Sequence, residues 1–236
     1  MAIDKKIFRT RALTAIVFAA VMLLGLFTNV WAFFLLFFII MIGCVVEYVR
    51  LIKKVDPDMY KLYMSMALLY IVMPVLMIMD LGIGGNIFAL TPLGELNLTA
   101  LYTPLFPCAI IFSIWINDTM AYLVGSMIGK TPFSKISPKK TWEGTGGGAI
   151  LCVVVIAILG SVIPAAKHVA MQHWIAIAAI CAIFGTLGDL LESKIKRLAN
   201  VKDSGSFMPG HGGFLDRFDS LLIATPAVWV YVKLFL

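Results

Sequence analysis

Charge is what this chain has least of: only 14% of its 236 residues are charged, against about 25% in an ordinary soluble domain. No hydrophilic stretch is long enough to form a separate soluble domain. Cysteine is scarce too. Cys44, Cys108, Cys152 and Cys181 all fall inside apolar runs, with no CxxC pair and no metal-ligand spacing. That pattern excludes a disulfide framework and a thiolate metal site, and leaves four small core hydrophobes. The phosphate-binding spacing GxxxxGK[ST] is absent, so this is no Walker A protein. There is no low-complexity segment and no convincing internal repeat, and an odd span count with polar motifs on one side argues against an inverted-repeat transporter.

What is present is apolar. Hydrophobic residues make up 61% of the chain, and mean hydropathy is +0.97. Several runs reach the roughly 20 residues needed to cross a bilayer. The sequence predicts an all-α polytopic membrane protein, a single domain over 1–236. Helices within 1–110 precede the polar motifs of 111–236. Seven spans are expected: 12–28, 31–49, 62–80, 104–125, 147–164, 172–195 and 217–235. The basic N-terminus MAIDKKIFRTR has the outline of a signal peptide. The apolar run behind it is long for one, however, and a second span follows at once, so an uncleaved first span is expected. The segment 81–103, which bears Gly, Pro and Asn, reads as a loop, and its stretch 87–90 is too short to cross.

The net charge of +6 would suggest nucleic acid in a soluble protein. Here the cations gather between the spans, so no nucleic-acid partner is expected. All but Lys167 and Lys233 fall on alternate connections, which predicts a cytoplasmic N-terminus in the cell (inner) membrane. Attraction to anionic lipid or nucleotide is a compatible second reading.

One polar island stands out near the C-terminus, 188–219, GDLLESKIKRLANVKDSGSFMPGHGGFLDRFD. Charges at the edge of a span are costly and usually have a job. Asp189, Glu192, Ser193 and Lys196 share one helix face by their spacing. A solvated helix end with local salt bridges would give the same pattern. Asp216 and Asp219 open the last span on one face; acids there also complement a helix dipole. Because a loop joins these two helices, their ends can be neighbours, and Asp189 and Asp216 can then share a divalent cation through hard oxygen ligands. The loop holds Lys202, Asp203, Gly205, Gly210, His211, Gly212 and Gly213. Glycines allow close approach of backbone N–H groups to phosphate, although turns need glycine as well. Arg197 and Lys202 are placed to neutralise phosphate charge.

A second cluster lies upstream. Asp118 sits deep in an apolar segment, as a site residue or half of a buried ion pair. Lys139 and Lys140, followed by Thr141, Glu143 and Gly144, form a cationic turn that simple topology would also explain. The run Gly146, Gly147 and Gly148 would weaken a helix start unless close packing or a ligand requires it.

The residues from Ser193, Lys196 and Arg197 through Lys202, Asp203 and Gly205 to Pro209, His211, Gly212, Gly213, Asp216, Arg217 and Asp219 carry a fixed spacing. It resembles the signature of the phosphatidate cytidylyltransferases (CDP-diacylglycerol synthases). The cluster of Asn117, Asp118, Lys139, Lys140, Thr141, Glu143 and Gly144 is similar to that family's second motif. The resemblance covers 112–236; upstream it is only a hydrophobic pattern. Met208 departs slightly from the signature, and the chain is short for the family in its N-terminal half.

The resemblance implies cytidylyl transfer from CTP to phosphatidate at a two-metal, Mg²⁺-dependent site facing the cytoplasm. Carried over, Asp189 and Asp216 are the expected metal ligands. Lys202, Asp203, His211, Arg217 and Asp219 are the expected catalytic groups. Asp118, Lys139, Lys140, Glu143, Ser193, Lys196, Arg197, Gly212 and Gly213 are expected to bind substrate. Expected partners are CTP, phosphatidate and membrane lipid, with a homodimer as an assembly to test. The alternatives are a CTP-dependent lipid-alcohol kinase and an ion-coupled transporter. The DG…AR motif of the CDP-alcohol phosphotransferases is absent.

Overall fold

Helices follow the apolar runs in the computed structural model, which describes residues 5–85, 87, 97–208, 210 and 212–236. α1 (Lys5–Phe27) and α2 (Val30–Val55) are separated by Asn29. Its side chain accepts from the N–H groups of Trp31 at 3.0 Å and Ala32 at 2.9 Å, satisfying donors that a helix start leaves unpaired. α2 runs past the expected end at 49 because Lys53 and Lys54 in its last turn reach water and complement the helix dipole.

α3 (Tyr60–Ser65), a wide π turn at Leu68–Val72 and α4 (Met73–Gly82) make one span, Tyr60–Gly82. Pro74 has no N–H to donate and its ring crowds the preceding turn, so the helix widens just before it. Within the expected loop 81–103 a short α5 (Leu98–Leu101) forms. Of the stretch 87–90, only Ile87 is among the described residues.

α6 (Leu105–Ile128), α7 (Trp142–Val162), α8 (Met171–Leu198) and α9 (Leu215–Phe235) complete the bundle. Among the described residues six helices are long and apolar enough to cross a membrane, and Ala12–Phe27 is a shorter apolar helix. The chain is therefore an all-α polytopic membrane protein, and the six long helices with the shorter one correspond to the seven apolar segments expected.

The expected start of the fifth span at 147 is corrected to Trp142. Thr141 caps it, its hydroxyl accepting from the Gly144 N–H at 3.1 Å. The glycine run therefore lies inside α7, and close packing explains much of it. A Cβ on Gly144 or Gly148 would strike the backbone of Ala121 or Gly125 in α6. Lipid offers little hydrophobic drive for helix association, so such small-residue contacts hold the pair by van der Waals packing. The opposite face of α7 is apolar and exposed at Ile150, Val154, Ile158 and Val162, one side chain per turn facing lipid.

α6 packs on α7, α7 on α8 and α8 on α9, while α9 also meets α4 and α2. The core between them includes Phe33 and Phe37 of α2, Ile71, Ile78 of α4, Ile110 of α6 and Ile177 of α8. α2, α6 and α8 end where α7 and α9 begin, so the polar segments meet at one end of the bundle. At the other end Asp80 of α4 is fully buried. It accepts from Trp229 Nε1 at 2.7 Å and pairs with Lys233 at 3.3 Å, both on α9. Lys233 also donates to the Gly85 carbonyl at 2.6 Å.

Candidate active site

The close crossing of α8 and α9 creates the site. Gly188 lies so near Asp219 that a Cβ would meet the Asp219 carbonyl oxygen and the Ser220 Cα. The acids next to this crossing converge. Asp189, Glu192 and Asp219 each offer one carboxylate oxygen within 4.8 Å of the others. Glu192 and Asp219 are buried. Glu192 pairs through Oε2 with Lys196 one turn on, and its Oε1 has no hydrogen-bond donor among the described residues. Buried carboxylates without enough partners are costly. Three of them facing one point is a donor set that suits a hard divalent cation.

Asp216 is held differently. Its Oδ1 accepts from Lys196 Nζ at 2.6 Å. Its Oδ2 accepts from the Ser204 N–H at 2.8 Å, the Ser204 hydroxyl at 2.9 Å and the Gly213 N–H at 2.7 Å. Asp189 and Asp216, the expected metal pair, are thus arranged unequally: Asp189 joins the carboxylate group, and Asp216 is saturated by protein donors. Two loop N–H groups that could have faced phosphate, at Ser204 and Gly213, are taken by Asp216. Gly212 has φ +84, and a Cβ there would also run into Asp216.

The second cluster joins the first. Lys140 forms an ion pair with Asp189, and Ser193 donates to the same carboxylate at 3.3 Å. A cavity of about 450 Å³ is lined by Asp118, Tyr122, Lys139, Lys140, Thr186 and Asp189, among others. Asp118 accepts from Asn117 at the long distance of 3.5 Å. Arg217 is exposed on the other side of Asp118, where both line a cavity of about 400 Å³ between α1 and α6.

Other expected site residues lie apart. Glu143 accepts from the N–H groups of Lys130 at 3.2 Å and Thr131 at 3.1 Å and from the Thr131 hydroxyl at 2.8 Å, fixing the loop before α7. Arg197 donates to the Val201 carbonyl at 3.3 Å. Lys202 and Asp203 are exposed on the turn after α8, and neither lines the 450 Å³ cavity. His211 lies outside the described residues.

One acid at the site was absent from the sequence-based expectations. Glu47 of α2 is buried and accepts from the Ser204 hydroxyl at 2.7 Å, the Phe214 N–H at 3.0 Å and the Leu215 N–H at 2.9 Å. A signal for it existed: a lone carboxylate inside the apolar stretch of a span.

The family model described as "Cytidylyltransferase family" matches residues 97–235. The chain is similar to the phosphatidate cytidylyltransferase of Bacillus subtilis (strain 168), 43% identical over 123 residues, 52% of this chain and 45% of that protein. It is similar to the phosphatidate cytidylyltransferase of Staphylococcus aureus (strain COL), 46% identical over 117 residues, 48% of this chain and 43% of that one. A third relative is phosphatidate cytidylyltransferase 5, chloroplastic, of Arabidopsis thaliana, 42% identical over 127 residues, 54% of this chain and 30% of that one. The matched part is less than half the length of each of these relatives.

Proposed function

The chain belongs to the cytidylyltransferase family, and we propose that it transfers the cytidylyl group of CTP to phosphatidate, giving CDP-diacylglycerol and pyrophosphate. The observation that carries this reading is the convergence of both polar clusters on one cavity. There Lys139 and Lys140 line the same wall as Asp118 and Asp189, Lys140 pairs with Asp189, and Asp189 is one of three clustered carboxylates. The relatives named above support the choice of substrates. The distribution of lysine and arginine supports a cytoplasmic position for this end, where CTP is available.

The phosphate of phosphatidate already carries a nucleophilic oxygen, so the reaction needs no strong base and no covalent enzyme intermediate. That oxygen attacks the α-phosphorus of CTP in line, the bond to the β-phosphate breaks, and pyrophosphate leaves. Catalysis then consists of positioning and charge neutralisation. Lys139 and Lys140 supply positive charge within the cavity. Asp189, Glu192 and Asp219 would hold Mg²⁺, which when bound offsets phosphate charge and stabilises the leaving group. Asp216 would join such a set only by releasing Lys196.

An apolar cavity of about 410 Å³ opens beside the site between α1, α2 and α9, lined by Val17, Phe18, Met22, Ile40 and Phe218 among others. It shares Thr14, Phe18 and Met208 with the cavity that holds Asp118 and Arg217. An acyl chain in the first would leave the lipid phosphate beside Arg217. Val17→Trp, which fills this groove, is expected to raise KM for phosphatidate about tenfold while KM for CTP stays unchanged. Equal KM values for both substrates in variant and wild type would remove the groove from the lipid path.

The decisive test supplies the purified chain with CTP labelled in cytidine, phosphatidate and Mg²⁺. Label in the lipid product with release of pyrophosphate is expected. Free CDP with phosphorylated lipid would make the protein a kinase, and solute flux without CTP turnover a transporter.

A further inference from the structure

We propose that Glu47 is a positioning residue for the transfer reaction, setting from α2 where the acids of α9 stand. The inference rests on the functional reading above. Glu47 lies upstream of the segment matched by the family model, 97–235.

Phe214 and Leu215 lie at the start of α9, and their N–H groups belong to the set a helix cannot satisfy internally. Both donate to Glu47, one to each carboxylate oxygen. A negative group at this point also complements the α9 dipole. The start of α9 is therefore occupied by a protein carboxylate and is no phosphate cradle. Two signature glycines are explained by the same group, since a Cβ on Gly205 or Gly213 would collide with the Glu47 carboxylate. One turn earlier on α2, Gly43 receives the Phe214 ring, and a Cβ there would strike it. Gly43 and Glu47 thus form one face of α2 shaped to hold the first turn of α9.

The link to the reacting groups runs through Ser204. Its hydroxyl is 2.7 Å from Glu47 Oε2 and 2.9 Å from Asp216 Oδ2. The Asp216 N–H in turn donates to Ser204 Oγ at 3.3 Å. One hydroxyl proton serves two carboxylates, so losing Glu47 changes what Ser204 offers Asp216. Asp219 follows one turn later on α9 and moves with the same turn.

Glu47→Gln keeps the volume but leaves one oxygen to accept where two accepted, so one of the two α9 N–H groups loses its partner. In the full chain this variant should lower kcat about 10–100-fold and raise the Mg²⁺ concentration for half-activation, with KM for phosphatidate unchanged. Glu47→Asp should recover part of kcat. Amide hydrogen exchange at Phe214 and Leu215 should speed up about tenfold in Glu47→Gln, a readout that needs no activity. Gly205→Ala should impair wild type but add little to Glu47→Ala, because the collision is with Glu47 itself. Unchanged exchange in Glu47→Gln overturns the proposal. So does an equal loss of kcat and thermal midpoint in the Gln and Asp variants, which would mark Glu47 as a fold-stabilising group only. Should wild type show no CTP turnover, the functional reading fails while the exchange data still judge Glu47.

Discussion

Asp219→Asn is expected to reduce cytidylyl transfer by about 10³-fold, the upper range for losing one group that stabilises charge in a transition state. Asn keeps the shape of the side chain and can still accept from the Ser220 N–H, which Asp219 binds at 2.6 Å. What it loses is the charge shared with Asp189 and Glu192. The rate should fall with little change in thermal midpoint, and added Mg²⁺ should not restore it. Asp58→Asn, an exposed acid between α2 and α3, serves as the control and should behave as wild type. Pyrophosphate release over a Mg²⁺ titration measures both variants. An Asp219→Asn enzyme with near-normal turnover would remove Asp219 from the cation-binding group.

The second large effect needs no charge change. Gly188→Ala places a Cβ against the Asp219 carbonyl oxygen and the Ser220 Cα, backbone atoms that cannot rotate away. Overpacking of this kind costs about 1–3 kcal/mol. Because Gly188 precedes Asp189 and faces Asp219, separating the helices also separates the acids. A displacement of about 1 Å at reacting groups can cost roughly 10²-fold in rate. Both a lower thermal midpoint and a lower kcat are therefore expected. Gly146→Ala is the matched control, since a Cβ there meets nothing within 4 Å. If Gly188→Ala matched Gly146→Ala in both measurements, the α8–α9 crossing would not set the spacing of the acids.

The spans were legible because lipid imposes a long apolar run on every crossing segment. The ends were less so. The start of α7 was misplaced because glycine reads as a helix breaker, whereas Gly144 and Gly148 let two backbones touch. The acids of α8 and α9 were legible as neighbours because a short loop joins their helices. The meeting of Lys140 with Asp189 was not, since it depends on how α7 packs against α8. Chain spacing also gave no warning that Asp216 would be spent on Ser204, Gly213 and Lys196. Glu47 and Asp80 each carried the signal of a charge inside an apolar run. Attention to the dense polar segments hid them, because an isolated acid shows its partners only in three dimensions.

Both of those acids grip the same helix. Glu47 holds the first turn of α9, and Asp80 holds Trp229 and Lys233 near its last. α9 is thus a beam pinned at both ends by α2 and α4, with Pro226 as the compliant point between the pins. Such a beam can flex at its middle but cannot tilt or slide without breaking a buried contact. Movement that would admit the proposed substrates must then come from the elements packed around the beam and not from the beam itself. The carboxylates at the root of the beam would keep their places while the walls around them open.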